Sequence, residues 1–418
     1  MPNRHPKPVP IYDNLDYLPN PFRQKQFDTA RLIPTGSAIV GSEVDYEFTS
    51  KFIYSYNGSA ATFNVYRREL ERLMQWAWHI QARSIVTLKR EDIEAYIQFC
   101  INPPRTWIGT KTVARFKSRE GVRIANPDWH PFVATVQKLD HQQGKVADKK
   151  DFVLSQASVQ AIFSVLSSYY MYLMQEHVTE ANPVALIRQK SKFLRKNHQP
   201  NPVRRISNLQ WDYVIETVEL LAIAEPAHER SLFILNCLLG MYLRVSELVA
   251  DERSSPVMGD FRKDADGNWW FHVVGKGNKS RIVTVCDEML DALKRYRLSL
   301  RLTPLPAIGE KTPLVPKNLG KGPLTSTRQV RSIVQFCFDR SYERMKSDGL
   351  MADAEDLKVA TVHWLRHTAI SEDVKSRPRE HVRDDAGHAS MQTTDRYIES
   401  DARERHASGR KKGLKETS

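Results

Sequence analysis

Residues 188–205 hold seven basic side chains (Arg188, Lys190, Lys192, Arg195, Lys196, Arg204, Arg205), no acidic one, and two prolines, Pro200 and Pro202. Like charges with no counter-charge resist burial, and proline interrupts helices and sheet ladders. A stretch of this kind joins folded parts rather than forming one. The chain, 418 residues long, therefore divides into a proline-rich extension (1–44), a first domain (45–187), a basic linker (188–206), a second domain (207–400) and a basic tail (401–418). Such a linker, set between two domains that both meet a polyanion, can lie along it.

Charge supports a polyanionic partner. Lys and Arg exceed Asp and Glu by 13, and 41% of residues are hydrophobic, enough for two cores. No apolar run approaches the roughly 18 residues of a membrane span. The proline-rich start has no apolar segment of signal-peptide type. The cysteines (Cys100, Cys237, Cys286, Cys337) are scattered, without a Cys-x-x-Cys pair, as expected for reduced thiols in the cytoplasm.

The extension has six prolines in its first 22 residues. It reads either as an extended arm for a partner or second protomer, or as disorder. The first domain is helical. Phe63, Tyr66, Leu70, Leu73, Ala77 and Ile80 recur at helical spacing after a potential cap at Thr62, with Arg67, Arg68 and Arg72 assigned to the opposite, DNA-facing side. A helix over about 90–100 and another over about 155–175 follow, separated by a Pro- and Trp-containing insertion near 103–150 with weak periodicity. In the second domain an apolar helix (about 229–239) leads into Leu-Arg-Val-Ser-Glu-Leu. WWFHVV (269–274) and RIVTV (281–285) then form a hairpin around GKGNKS, with Lys276 at its tip. Helices flank a Pro/Gly-rich loop (302–324). The fold class expected is mostly α with a small β-sheet.

The chemistry concentrates in 361–400. His363 and Arg366, three apart on a helix, face one way. A guanidinium matches two phosphate oxygens, so Arg366 and the distant Arg244 can clamp one phosphate. Lys276, lowered in pKa beside two arginines, suits a general acid. Tyr397, after a potential helix cap at Thr393-Thr394, is a candidate nucleophile, with His363 or His388 as base. His363 and His367 are i, i+4, but no Glu follows His363 and no third ligand is evident, so no metal is expected. GKG lacks P-loop spacing.

Order and spacing of these residues resemble the tyrosine recombinase (phage integrase) family. The resemblance rests on LRVSEL (Arg244), VVGKGNKSRIVTV (Lys276), HWLRHT (His363, Arg366), AGHAS (His388) and TTDRY (Tyr397), with TFNVYRRELERLMQWA upstream. It covers most of 45–400. It departs at Tyr242, where the family usually has glycine ahead of Leu-Arg, at Asp384-Asp385, where apolar residues are usual, and in the length of 103–150. The resemblance implies a helical core-binding domain and a mixed α/β catalytic domain closing as a C-shaped clamp on double-stranded DNA. It implies a site-specific recombinase that works through a 3′-phosphotyrosyl intermediate and a Holliday junction, as a tetramer, without metal or cofactor. Glu247 would orient the site from behind, and accessory DNA-bending proteins or a partner recombinase would be further partners. Length, insertion and arm point to an integrase or transposase of a mobile element over a compact resolvase. The alternatives are a type IB topoisomerase-like enzyme, which usually lacks a histidine at the His388 position, and a catalytically silent DNA-binding regulator, which would have lost one of the six side chains.

Overall fold

The structure is a computed structural model and describes residues 7–23, 39–185, 187, 204–275, 279–395, 397, 406 and 409–410. Lys276, Arg188, Lys190, Lys192, Arg195, Lys196 and most of the tail lie outside these. The chain forms two compact units, Met1–Gln199 and Pro200–Ser418, dividing inside the basic stretch.

The N-terminal unit is built on four longer helices: α1 (Ser42–Tyr54), α2 (Ala60–Trp76), α3 (Arg90–Ile101) and, after the short α4 (Lys138–Gln142), α5 (Gln156–Gln175). Ser59, not Thr62, caps α2 by accepting from the Thr62 N–H at 3.4 Å. Ser155 caps α5 in the same way at 3.1 Å. The 3- and 4-residue apolar spacing turns Phe63, Leu70, Leu73, Ile162, Phe163, Leu166 and Tyr169 inward, each essentially fully buried. Removing a large side chain of this kind from water is worth roughly 1.5–3 kcal/mol.

Two stretches that the sequence left loose are integral to this core. Residues 7–18 run as a strap over their own unit. Ile11 and Tyr12 are buried, the Ile11 N–H donates to Glu71 at 2.8 Å, and Gln75 donates to the Val9 carbonyl at 2.7 Å. The segment near 103–150 is not irregular. Strands β1 (Ile108–Gly109) and β4 (Phe132–Val133) pair in parallel, and β2 (Phe116–Arg119) with β3 (Val122–Ala125) forms an antiparallel hairpin. Trp107 and Phe132 from this segment are completely buried in the helical core. Deleting it would open that core.

The C-terminal unit starts at α6 (Asn208–Ala224), whose capping box pairs Ser207 with Gln210, followed by the apolar α7 (Glu229–Gly240). The sheet has three antiparallel strands in sequence order: β5 (Phe261–Lys263), β6 (Trp269–Val274) and β7 (Ser280–Thr284). Phe271 lies opposite Val283, and Val273 opposite Arg281, so Val283 and Arg281 share one face of β7. Helices α8 (Asp287–Ser299), α9 (Thr327–Ser347), α10 (Met351–Val359), α11 (Val362–Ser376), α12 (Arg379–Ala386) and the short α13 (Met391–Asp395) complete the unit. Its core joins α6–α9 to the sheet, with Phe233 stacked on Tyr296 at 4.3 Å. Two packings matter for the site: α11 lies on α7, and α12 lies on β7. Among the described residues no helix is long and apolar enough to cross a membrane.

Candidate active site

Three chain segments converge where α7 ends, β7 passes and α12 stops. After α7 the backbone turns through Tyr242, at φ 49°. This is a left-handed conformation costly for a bulky side chain. Arg244 then begins a short turn whose third residue, Glu247, is buried. Glu247 accepts from the Arg244 backbone N–H at 2.8 Å and from the Arg244 side chain at 3.0 Å. Arg281 of β7 meets the same carboxylate bidentately, at 2.8 and 2.9 Å. Burial alone would raise the Glu247 pKa. The Arg281 hydrogen bonds and the charges of Arg281 and Arg244 outweigh it, so Glu247 titrates below the usual carboxylate range.

The end of α12 is the second anchor. Gly387 caps it at φ 64°, and a Cβ there would lie 2.7 Å from the Arg281 side chain, so only glycine fits. The carbonyls exposed at this terminus receive arginines: Asp385 from Arg281 at 2.9 Å, Ala386 from Arg366, and Gly387 from Arg244 at 3.4 Å. Arg366, on α11, also donates to the Tyr242 carbonyl. It is 8% exposed, and burial, with Arg244 and Arg281 nearby, pulls its pKa down to about 9. It stays largely cationic at neutral pH. Three guanidiniums thus surround one buried carboxylate, which leaves the site net positive.

The third segment carries the phenol. His388 follows Gly387 and shares a hydrogen bond with Thr394 at 2.9 Å. Burial and the surrounding arginines push its pKa down to about 4, so it is neutral. Its ring lies parallel to that of Tyr397, with centroids 5.8 Å apart. Thr393 and Thr394 do not cap a helix that presents Tyr397. They lie within α13, Thr394 is buried, and the Tyr397 N–H closes the turn on the Thr394 carbonyl at 2.9 Å. The histidine that meets the phenol is His367: Nδ1 and Oη are 2.8 Å apart. His363, a turn earlier on α11, is exposed. Burial, then Arg331 and Arg366, lower its pKa.

The structure therefore brings together Arg244, Glu247, Arg366, His388 and Tyr397, with His363 on the same helix as Arg366. Lys276 itself is outside the described residues. Gly275, the residue before it, stands against the site, since a Cβ there would lie 3.1 Å from Arg281 and 3.2 Å from Glu247. Arg281 and His367 are site residues the sequence reading passed over. The signal for Arg281 was a cation at an inward position of an alternating strand; His367 was weighed only as a metal ligand. Among the described residues no cluster of three or more His, Cys, Asp or Glu suits a metal.

The proposed DNA-facing arginines of α2 need correction. Arg67 is 6% exposed and donates to the Asp13 carbonyl, Asn14 and Asn64. Arg72 is held by the Pro131 carbonyl and Glu69, over the Phe132 ring. Arg67 faces inward because 63, 67 and 70 share a helical stripe; Arg72 lies on the opposite side of the helix, where the Pro131–Phe132 segment covers it. Arg68 stays partly exposed beside Glu69. In the basic stretch, Arg204 is exposed and Arg205 sits 3.5 Å from Glu372.

No family model matches the chain. The tyrosine recombinase XerC of Bacillus subtilis (strain 168) is 28% identical over 249 residues, 58% of this chain and 70% of that protein. The tyrosine recombinase XerD of Proteus mirabilis is 26% identical over 231 residues, 54% of this chain and 59% of that protein. Among solved structures, XerH site-specific recombinase bound to a palindromic difH substrate, in its post-cleavage complex, aligns over 94% of this chain and 91% of that one. The TM-score is 0.56 at 12% identity, a likeness of fold. With the ordered set Arg244, Glu247, Arg366, His388 and Tyr397 assembled at one place, the chain is similar to tyrosine recombinases in sequence and shares their fold.

Proposed function

We propose that this chain is a site-specific DNA recombinase that cleaves and rejoins strands with Tyr397 as nucleophile. The observation that carries the reading is the convergence of Arg244, Arg366, His388 and Tyr397 on the end of α12, in a site with more guanidinium than carboxylate. Attack on a scissile phosphate by the phenol gives a 3′-phosphotyrosyl bond and a free 5′-hydroxyl. Arg244 and Arg366 hold the non-bridging oxygens and offset the charge of the pentavalent transition state. His388, neutral and fixed by Thr394, donates a further hydrogen bond, and Lys276 protonates the departing oxygen. The phosphodiester energy is kept in the covalent link, so rejoining needs no nucleotide.

Double-stranded DNA is the substrate, and the seven basic residues of 188–205 add positive charge suited to its phosphates. Four protomers exchange strands between two duplexes, and accessory DNA-bending or partner proteins set direction. The strap and the 103–150 segment, both built into the N-terminal core, favour an integrase or transposase of a mobile element over a compact resolvase.

Covalent trapping tests the reading. The protein is mixed with fragmented DNA of its source, quenched in detergent, and adducts released by protease are sequenced. Adducts at one or a few sites, absent from Tyr397→Phe, are expected. Adducts from the Phe variant would mean a different nucleophile. Adducts spread over all sequences would mean topoisomerase-like action, and tight binding without adducts a silent binder or a recombinase that awaits a partner.

A further inference from the structure

Tyrosine is a weak nucleophile at neutral pH, because the phenol keeps its proton until about pH 10. Arginines around the phosphate stabilise charge but cannot accept that proton. The site must therefore contain a base within hydrogen-bond reach of Oη. Two imidazoles lie against Tyr397, those of His367 and His388, and a third, His363, is a turn earlier on α11.

His388 offers its face. Its ring is parallel to the phenol within 12°, and its Nδ1 is engaged by Thr394. His363 is exposed. His367 is placed otherwise. It follows Arg366 directly on α11, half-buried, with Nδ1 2.8 Å from Oη and its ring inclined 31° to the phenol. The phenol is held from behind by a small apolar cluster of Tyr242, Ala369, Ile370, Val382 and Ala386. Its backbone is held by Thr394. Both partners of the hydrogen bond are thus on packed elements.

We infer that His367 is the general base for Tyr397, a catalytic residue additional to the six of the resemblance. The inference rests on the reading of Tyr397 as nucleophile. In cleavage the phenol O–H bond breaks as the Oη–P bond forms, and the proton passes to Nδ1. The P–O5′ electron pair leaves with the 5′-oxygen, which takes its proton from the general acid, the role the resemblance gives to Lys276. In rejoining, the 5′-hydroxyl attacks and gives its proton back to the Lys276 amine, the Oη–P bond breaks, and the imidazolium returns its proton to the phenolate. The charges facing the ring suit this role. Burial, then His363 and Arg366 on the same helix, lower the His367 pKa, and His388 across the phenol is neutral. The imidazole is therefore free of its second proton when the substrate arrives.

The experiment uses the full chain and a duplex site recovered by trapping, cut as a suicide substrate so that single-turnover adduct formation is read. His367→Ala is expected to slow adduct formation by about 10²-fold or more, with added imidazole restoring part of the rate. His367→Asn, whose amide overlies Nδ1 but cannot take a proton, should stay slow. A substrate with sulfur in place of the bridging 5′-oxygen, whose leaving group needs no acid, should not rescue either variant. Asn at the parental rate would make His367 a positioning residue only. Rescue by the sulfur substrate would move its role to the leaving group. If the Ala variant does not fold, the Asn variant carries the test. Failure of the underlying reading looks different, as adducts that persist in Tyr397→Phe.

Discussion

In the N-terminal unit, Arg67, Arg72 and Arg115 end on carbonyls or amides and lie beside carboxylates. Arg67 holds the Asp13 carbonyl next to the Asp13 carboxylate, Arg72 holds the Pro131 carbonyl and Glu69, and Arg115 holds the Tyr12 carbonyl and Glu71. In the C-terminal unit, Arg366 is just as buried, yet its hydrogen bonds go to two carbonyls, those of Tyr242 and Ala386. Carbonyls orient a guanidinium without cancelling its charge. Carboxylates do both. The first unit uses arginine as a staple between the strap, the 103–150 segment and α2; the second sets Arg366, Arg244 and Arg281 around the single carboxylate of Glu247, so the cluster keeps a net positive charge. Only the second arrangement is prepared for a phosphate.

Glu247 is where the two patterns meet, since it is the one buried carboxylate shared by Arg244 and Arg281. Glu247→Gln should give the largest loss of stability, about 3–5 kcal/mol, because the side chain removed is the counter-charge of a buried pair. The pH dependence has a definite sign. The folded-state pKa lies below the unfolded one, so the stabilisation is complete above roughly pH 4.3 and is lost as pH falls through the folded value. Thermal midpoints between neutral and strongly acid pH should fall more steeply for the parent than for Glu247→Gln. Parallel acid limbs would assign the charge balance to another group.

A smaller effect is expected at Arg67. Arg67→Ala should cost roughly 1.5–3 kcal/mol, the value of hydrogen bonds made by a charged group. It should leave the salt dependence of DNA binding unchanged. A phosphate-contacting arginine would instead reduce the slope by about 1. A reduced slope for Arg67→Ala would return this residue to the DNA surface and erase the contrast between the units.

The stripe 63, 67, 70 was legible in the sequence, and so was its consequence. Arg67 falls i+4 from Phe63 on the buried face, but an arginine there was read by its charge rather than by its position. The helices with clean apolar spacing and the β6–β7 hairpin were legible for the same reason: one local period decides which side is buried. The strap was not, because Ile11 and Tyr12 become buried only against α2, some 60 residues away. The site was legible as an ordered set of residue types. The His367–Tyr397 contact was not, because it joins residues 30 apart, on α11 and on the turn after α13, and no local period links them.

The smallest effect is expected at Tyr242, the departure from the glycine usual in the family. Its carbonyl, made available by the left-handed turn, orients Arg366, while its hydroxyl contacts Asp373 and accepts from Arg377 at 2.7 Å. The two functions are separable. Tyr242→Phe removes the hydroxyl and keeps the carbonyl. It should lose about 1 kcal/mol in thermal denaturation and leave single-turnover cleavage within a few-fold of the parent. Tyr242→Gly relieves the strained backbone, worth about 1–3 kcal/mol, but gives up a buried ring. Its stability should therefore change less than loss of the ring alone would suggest. A cleavage defect in the Phe variant comparable to that of an Arg366 variant would show that the side-chain network, and not the turn, sets the register of Arg366.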